Sequence, residues 1–445
     1  MTEKYKELIS ELYKKRTNGI KLGLERVFSV LEKLGNPHKS FKSIHIAGTN
    51  GKGSVSRIIY TLLRTHGLNT GLFTSPHLTR FTERIIVNDR EISEQEVVRL
   101  IEKIKPFSED LTFFEYVTIM AFLYFKEKRV EYAVIETGMG GRLDATNVVT
   151  PVVSVITSIG VDHQNFLGSD INSIAREKAG IIKKGAPVIT SKQNPQAEKE
   201  IYKKASELGC PVFTYGKDFS AELKSMNLEG ISFVFNSLAL AGPQKGVPKN
   251  SIEFLGCPSL FLPLTGFHQL ENASVALKAF MNAYPQWNES LIKEGLKNVR
   301  LQGRLEVISK HPLIIFDIAH NPAASEALVK SLKALTDKKP VIVFGMMKDK
   351  DVCGFIDCFK DYCHKIIFTV PHYERALTYE GLNKNCASII DFFIGDPIEA
   401  FKKGISICEN NPELYLLCTG STYLIGELKE YLGEKILHRR LGELI

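Results

Sequence analysis

The clearest chemistry in the chain is carried by Gly48-Thr49-Asn50-Gly51-Lys52-Gly53-Ser54. Glycines let a backbone turn tightly enough to aim several N–H groups at phosphate oxygens, a following helix adds positive potential, and Lys52 supplies a mobile cation. The run departs from the common P-loop pattern G-x-x-x-x-G-K-[ST], being shorter and having Gly53 between Lys52 and Ser54. A second glycine-rich run, Thr137-Gly138-Met139-Gly140-Gly141-Arg142-Leu143-Asp144-Ala145-Thr146-Asn147, begins like G-x-G-x-x-G. Leu143 stands where the last glycine of a dinucleotide fingerprint is needed, so that fold is not supported. Glu136, just before this run, is suited to hold Mg²⁺ near phosphates, and a buried salt-bridged glutamate is the other reading its position allows. Ser75 in TSPHL and His163 in VDHQNFLG supply a hydroxyl and an imidazole of the same kind of site.

These residues need a scaffold that gathers them. Ser43–Ala47 reads as a short apolar strand before the glycine run, and Val55, Ile58, Ile59, Leu62 and Leu63 then fall on one helical face that ends at Gly67. Further strands are predicted at Gly71–Thr74, Tyr132–Glu136, Val152–Thr157 and Pro187–Thr190, and helices near Phe114–Lys128, Ile171–Ile182 and Pro195–Leu208. Strand–helix alternation of this kind implies a mostly parallel sheet, whose strands' carboxyl ends converge on one ligand crevice. Ser75, Glu136, His163 and Lys52 are all expected there. From about Phe213 to Pro263 the pattern shortens to stretches such as ISFVF and SLFLP, read as a small antiparallel insertion. After a helix over His268–Tyr284 the α/β rhythm restarts, with strands at Leu313–Phe316, Val341–Phe344, Lys365–Val370 and Leu414–Cys418. The fold expected is α/β in two domains, 1–298 and 299–445, the first with a mostly parallel P-loop sheet and the second smaller and Rossmann-like.

The 445 residues are 44% hydrophobic and 24% charged, a composition that excludes disordered and fibrous classes. The longest apolar stretch, around Tyr116 to Phe125, is far short of the roughly 20 residues that span a bilayer. The amino-terminal MTEKYKELISELYKKR alternates charged and apolar residues at helical spacing and lacks the apolar core of a secretory leader. A cytoplasmic location and no membrane partner are expected. The eight cysteines (Cys210, Cys257, Cys353, Cys358, Cys363, Cys386, Cys408 and Cys418) include no C-x-x-C pair and read as free thiols. The net charge of +7 is spread through the chain rather than gathered on one segment, which argues against nucleic acid and suits small anionic ligands.

Taken in order, GTNGKGS, TSPHLTRFTERI, ETGMGGRLDATN, VDHQNFLG, REKAGIIKKG, GFHQLENASVAL, GRLEVI, DIAHNP and TGSTYL resemble the folylpolyglutamate synthase/dihydrofolate synthase family of the Mur ligase superfamily. The resemblance runs from about Leu24 to Leu424. It implies that Gly51, Lys52, Gly53 and Ser54 cradle ATP phosphates and that Ser75, Glu136 and His163 hold Mg²⁺, at two sites in all. Asn272, Arg304 and Asp317 become the remaining ATP contacts, the last two reaching across from the second domain. His320 matches the histidine of the family's AHNP segment, and Lys178 matches a lysine carried as a carbamate, although spacing alone makes Lys178 an ordinary surface lysine. A pterin would lie against Thr112-Phe113-Phe114-Glu115 and Leu143-Asp144-Ala145, Phe113 and Phe114 being equally readable as core packing at a helix start.

The activity so implied is ATP-dependent addition of L-glutamate to the carboxylate of tetrahydrofolate, and of dihydropteroate, through an acyl phosphate. A monofunctional folylpolyglutamate synthase and another Mur-type amino-acid ligase are the nearest alternatives. The latter's phosphate loop reads GTNGKT, without the extra glycine. A nucleotide-driven switch would need D-x-x-G near the phosphate loop, and the nearest such string, Asp351–Gly354, falls in the other predicted domain. ATP, glutamate and a folate or dihydropteroate are the partners expected, and a monomer the expected state.

Overall fold

The computed structural model describes residues 3–15, 23–161, 168, 170–237, 259–382 and 384–436. Among them, three sheets organise the chain. The largest contains β1 (Lys42–Ala47), β2 (Thr70–Phe73), β3 (Ile85–Val87), β4 (Arg90–Glu91), β5 (Tyr132–Glu136), β6 (Val153–Ile156), β7 (Val188–Thr190) and β8 (Val212–Thr214) in the order β4-β3-β2-β5-β1-β6-β7-β8. Only the β2–β3 and β3–β4 pairings are antiparallel, so β3 alone runs against the other strands. β1 therefore lies between β5 and β6, in parallel register with both. Its last five residues are buried, as a strand covered by helices on both faces must be.

A three-stranded antiparallel sheet follows, β9 (Phe219–Asn227), β10 (Gly230–Ser237) and β11 (Leu260–Leu262), in the order β11-β10-β9. The antiparallel character expected for this region is present. It is no detached hairpin, because Ile231, Phe233 and Phe235 join Phe280 and the strands of the first sheet in one core. The third sheet has β12 (Glu306–Lys310), β13 (Leu313–Phe316), β14 (Lys339–Phe344), β15 (Lys365–Phe368), β16 (Phe392–Phe393) and β17 (Leu414–Thr419), ordered β12-β13-β17-β14-β15-β16. Here β12 alone is antiparallel to its neighbour. The fold is thus α/β throughout.

Helices cover both faces of the large sheets. Helix Phe113–Glu127 is buried nearly all round, which explains its continuous apolar sequence, and no described helix is long and apolar enough to cross a membrane. Helix Lys52–Thr65 packs against helices Phe267–Ala283 and Glu289–Lys297. One expectation fails: Cys353 and Cys386 are joined by a disulfide, with Cα atoms 5.4 Å apart. Their separation of 33 residues carries no spacing signal, and two short helices bring them together. Cys210, Cys358, Cys363, Cys408 and Cys418 are free thiols, and Cys257 lies outside the described residues.

Candidate nucleotide and ligase site

Four adjacent parallel strands, β2, β5, β1 and β6, end on the same edge of the first sheet, and the residues that follow them meet there. Gly48 (φ +154°) and Gly51 (φ +91°) shape the turn after β1. A Cβ on Gly48 would sit 1.8 Å from Thr157 Oγ1 at the end of β6, and one on Gly51 would sit 2.4 Å from Asn272 Oδ1. The loop is glycine-rich because neighbouring residues press against it. Asn272, from helix Phe267–Ala283, thereby reaches the loop from outside the sheet. Lys52 opens the following helix, and its Nζ donates to the carbonyls of Gly48 (3.0 Å) and Thr49 (3.2 Å).

Glu136 ends β5 as a buried carboxylate, and its Oε2 accepts the Ser75 N–H at 3.3 Å. Burial pushes its pKa up, against the opposing pull of Lys52, the Ser75 N–H, Arg304 and Arg84. Ser75 and Glu136, two of the three residues expected around a metal, are therefore neighbours. His163 lies outside the described residues. A buried carboxylate oxygen beside a serine is a hard-oxygen donor set that fits Mg²⁺.

Lys178 corrects its bland reading. It is 4% exposed, and its Nζ donates to the Gly48 carbonyl at 2.8 Å. The cause is a close approach at Gly141, where a Cβ would lie 2.7 Å from the Glu177 carbonyl oxygen and 2.9 Å from that of Lys178. Glycine there lets helix Ile171–Ala179 draw in under the glycine-rich loop after β1.

The third sheet contributes from the opposite side. Asp317 follows β13, and its carboxylate accepts the Leu305 N–H (2.9 Å) and the Ala319 N–H (2.8 Å). These bonds hold Gly303–Leu305, in which Gly303 (φ +66°) and Leu305 (φ +46°) are left-handed and flank Arg304. Arg304 Nη2 and Glu136 Oε2 come within 3.8 Å and 4.0 Å of where a Gly53 Cβ would be. Burial raises the Asp317 pKa and lowers that of Arg304, while each partner's charge resists the other's shift. His320 Nδ1 bonds the Ile318 carbonyl at 2.9 Å, so the neutral ring carries its proton on Nδ1. Asn50 and Asn321 exchange side-chain amide bonds of 3.3 Å and 3.1 Å, tying the glycine-rich loop to the start of helix Pro322–Leu335.

One cavity of about 430 Å³ is lined by the loop Gly48–Ser54, Ser75, Glu136, Lys178, Asn272, Arg304, Asp317 and His320. It extends to a wall that the sequence reading missed. There the rings of Tyr373 and Tyr423 stack at 4.0 Å, and Arg375 pairs with Asp349 at 2.8 Å. All four residues follow strands of the third sheet, so strand polarity was the signal that could have found them.

The two stretches expected to meet a pterin adjoin one another, since a Cβ on Gly138 would touch the Phe114 ring at 2.5 Å. Much of their polar chemistry is already spent. Thr112 and Glu115 form the capping box of helix Phe113–Glu127, and Glu115 also pairs with Arg26 at 2.8 Å. Asp144 accepts the N–H groups of Gly138 (2.9 Å), Met139 (2.9 Å) and Thr146 (3.0 Å) and the Thr146 hydroxyl. Phe113 is buried against Tyr13, Phe81 and Arg84, Ala145 is buried, and Leu143 is partly exposed.

Residues 46–280 match the Mur ligase middle domain and residues 303–422 the Mur ligase glutamate ligase domain. The dihydrofolate synthase/folylpolyglutamate synthase of Bacillus subtilis is 33% identical over 96% of this chain and 99% of its own length. The crystal structure of folylpolyglutamate synthase from Thermotoga maritima superposes with a TM-score of 0.80 at 36% identity, covering 96% of each chain. Escherichia coli FolC, solved in complex with DHPP and ADP, gives a TM-score of 0.83 at 30% identity over 96% of this chain and 98% of that one.

Proposed function

The chain belongs to the dihydrofolate synthase/folylpolyglutamate synthase family of Mur ligases, and from that premise we propose that it is an ATP-dependent ligase adding L-glutamate to tetrahydrofolate and to dihydropteroate. The observation that carries the reading is the single cavity in which a phosphate-shaped loop faces Arg304 and Asp317 from the other sheet. The strands of the first sheet all precede residue 298 and those of the third all follow it, which supports domains 1–298 and 299–445. ADP in the Escherichia coli relative's complex supports ATP as co-substrate here, with Gly51, Lys52, Gly53, Ser54, Asn272, Arg304 and Asp317 around it. The protein is read as a cytoplasmic monomer without nucleic-acid or membrane partners.

A carboxylate is a poor acylating agent because oxide would have to leave. In the proposed route the acceptor carboxylate attacks the γ-phosphorus of ATP, the bond to the β-phosphate oxygen breaks, and ADP departs. Lys52 and Arg304 neutralise charge on the transferred group from opposite sides. The glutamate amine then attacks the acyl carbonyl, a C–N bond forms, inorganic phosphate leaves, and the amine's proton is released. Ser75 and Glu136, with His163, would hold Mg²⁺, which when bound adds positive charge beside the phosphates. Lys178, if carbamylated, would present a carboxylate under the loop in place of its ammonium. His320 and Asp317 bring the second domain's groups to the reacting centre, and closing of the cavity between the two sheets would keep water from the acyl phosphate. The stretches Thr112–Glu115 and Leu143–Ala145 form the surface proposed for the pterin.

The test offers ATP, Mg²⁺ and labelled glutamate with dihydropteroate and, separately, with tetrahydrofolate. Incorporation with both, matched by equal ADP and phosphate release, is expected. Incorporation with tetrahydrofolate alone would strike the dihydrofolate synthase half, and incorporation with neither would overturn the reading.

A further inference from the structure

A second cavity, of about 770 Å³, shares Gly53, Ser75, Glu136 and Arg304 with the first and runs from them along the outer face of helix Lys52–Thr65. Most charges on its walls are already engaged. Arg64 pairs with Asp89 at 3.1 Å, Arg80 pairs with Glu91 at 2.7 Å, and Glu83 accepts the N–H groups of Leu78 and Arg80 at 2.8 Å each. Among the arginines of these walls, Arg57 is the exception. Its guanidinium lies 5.8 Å from the Tyr60 ring centroid, it has no carboxylate within ion-pair distance among the described residues, and its Nε is a buried donor without an acceptor. Asp89, Glu91 and Glu83 act on it only from a longer range. A largely buried guanidinium with an unsatisfied N–H is costly to keep unless an anion completes it.

The position of Arg57 specifies which anion. It follows Gly53 by one helical turn, about 6 Å along the axis. Gly53 is where Arg304 and Glu136 converge, and hence where an acceptor carboxylate must meet the γ-phosphate. In a folate that acceptor is the γ-carboxylate of a glutamyl residue, whose α-carboxylate is separated from it by Cα, Cβ and Cγ, a span comparable to one helical turn. Dihydropteroate presents the reacting carboxylate but has no second one. We infer that Arg57 receives the α-carboxylate of the terminal glutamyl residue of a folate acceptor and so acts as the residue that separates folates from dihydropteroate. This rests on the ligase reading above and deepens it.

The experiment measures steady-state glutamate incorporation by the full chain and by Arg57→Gln and Arg57→Lys, with tetrahydrofolate, tetrahydrofolate α-carboxamide and dihydropteroate as acceptors. For the unaltered protein the α-carboxamide should show a KM about tenfold or more above that of tetrahydrofolate, the loss of one charge-assisted contact. Arg57→Gln should raise the tetrahydrofolate KM by a similar factor, cease to distinguish acid from amide, and move the dihydropteroate and ATP KM values far less. Arg57→Lys should recover part of the discrimination. Retained acid-over-amide preference in Arg57→Gln, or an equal KM rise for dihydropteroate, would overturn the assignment and leave Arg57 as a counter-charge for Glu83, Asp89 and Glu91. Should dihydropteroate not be a substrate, the acid–amide comparison decides alone. If the unaltered protein uses none of the acceptors, the ligase reading falls first and this assignment with it.

Discussion

Replacing Asp317 by asparagine keeps the side chain's shape and removes its charge. The carboxylate now accepts the Leu305 N–H at 2.9 Å and the Ala319 N–H at 2.8 Å, one with each oxygen. An amide has one oxygen, so its NH₂ must face one of these N–H groups. One bond falls from charge-assisted to neutral, costing about 1 kcal/mol, and the other is lost with a buried donor left unpaired, costing about 1–3 kcal/mol. Leu305 is held at φ +46°, a conformation that costs a non-glycine residue about 1–2 kcal/mol. Once the tether is weakened the segment can relax and recover part of that. The net loss of stability should be about 1–3 kcal/mol, and the relaxation should carry Arg304 away from Gly53. At about 1.4 kcal/mol per tenfold, a loss of 2–3 kcal/mol at the reacting centre lowers turnover by about 30- to 150-fold. Urea unfolding gives the first quantity, and labelled glutamate incorporation at saturating ATP gives the second. An Asp317→Asn protein with an unchanged midpoint and unchanged turnover would refute the idea that this carboxylate sets the Arg304 turn.

Lys52→Ala should abolish glutamate-dependent ADP release while shifting stability by no more than about 1 kcal/mol, since the described bonds of its Nζ are to the Gly48 and Thr49 carbonyls. Near-normal turnover would remove it from the phosphate site. Lys178→Ala should cripple turnover, with partial rescue by added short carboxylates, and the intact mass of the unaltered protein should include the carbamate. An unmodified mass together with normal activity of the variant would dismiss the carbamate. Three histidines set an acid limit: burial lowers the pKa of His45 to about 3 and of His38 and His268 to about 4, against 6.5 when free. The unfolded chain therefore takes up protons first, so their contribution to stability is complete above pH 6.5 and is lost as the pH falls toward 4. His45→Gln should make the fall in urea midpoint between pH 6.5 and pH 4 shallower, and an equally steep fall would show that His45 is not part of it.

The parallel core was readable because its strands are continuous apolar runs. Tyr132–Glu136 and Leu313–Phe316 have the limits their residues suggest, and the glycine run sits between β1 and its helix as expected. Helix Glu94–Ile104 and the β3–β4 hairpin went unread, the hairpin because its strands are only three and two residues long and show no period. Residue type marked Lys52, Glu136 and Asp317 because charged groups at the ends of apolar strands stand out. Lys178 shows the limit of that logic, since what buries it is the missing Cβ of Gly141, a contact 37 positions away in sequence. Asn50, Asn321 and Arg57 were silent for a related reason. Their meaning lies in which partner faces them, and pairing across two sheets leaves no trace in local spacing.

The Asn50–Asn321 amide exchange has a thermodynamic side. It is a bond between the element that would grip the phosphates and the helix start that follows Asp317 and His320, and each amide both gives and accepts. Whatever a nucleotide does to the loop must alter the free energy of that exchange, and whatever draws the second domain away must alter the loop. Linkage makes such effects equal in both directions. If ATP tightens the contact between the halves by some factor, their contact tightens ATP by the same factor, so nucleotide affinity becomes a gauge of how nearly closed the molecule is.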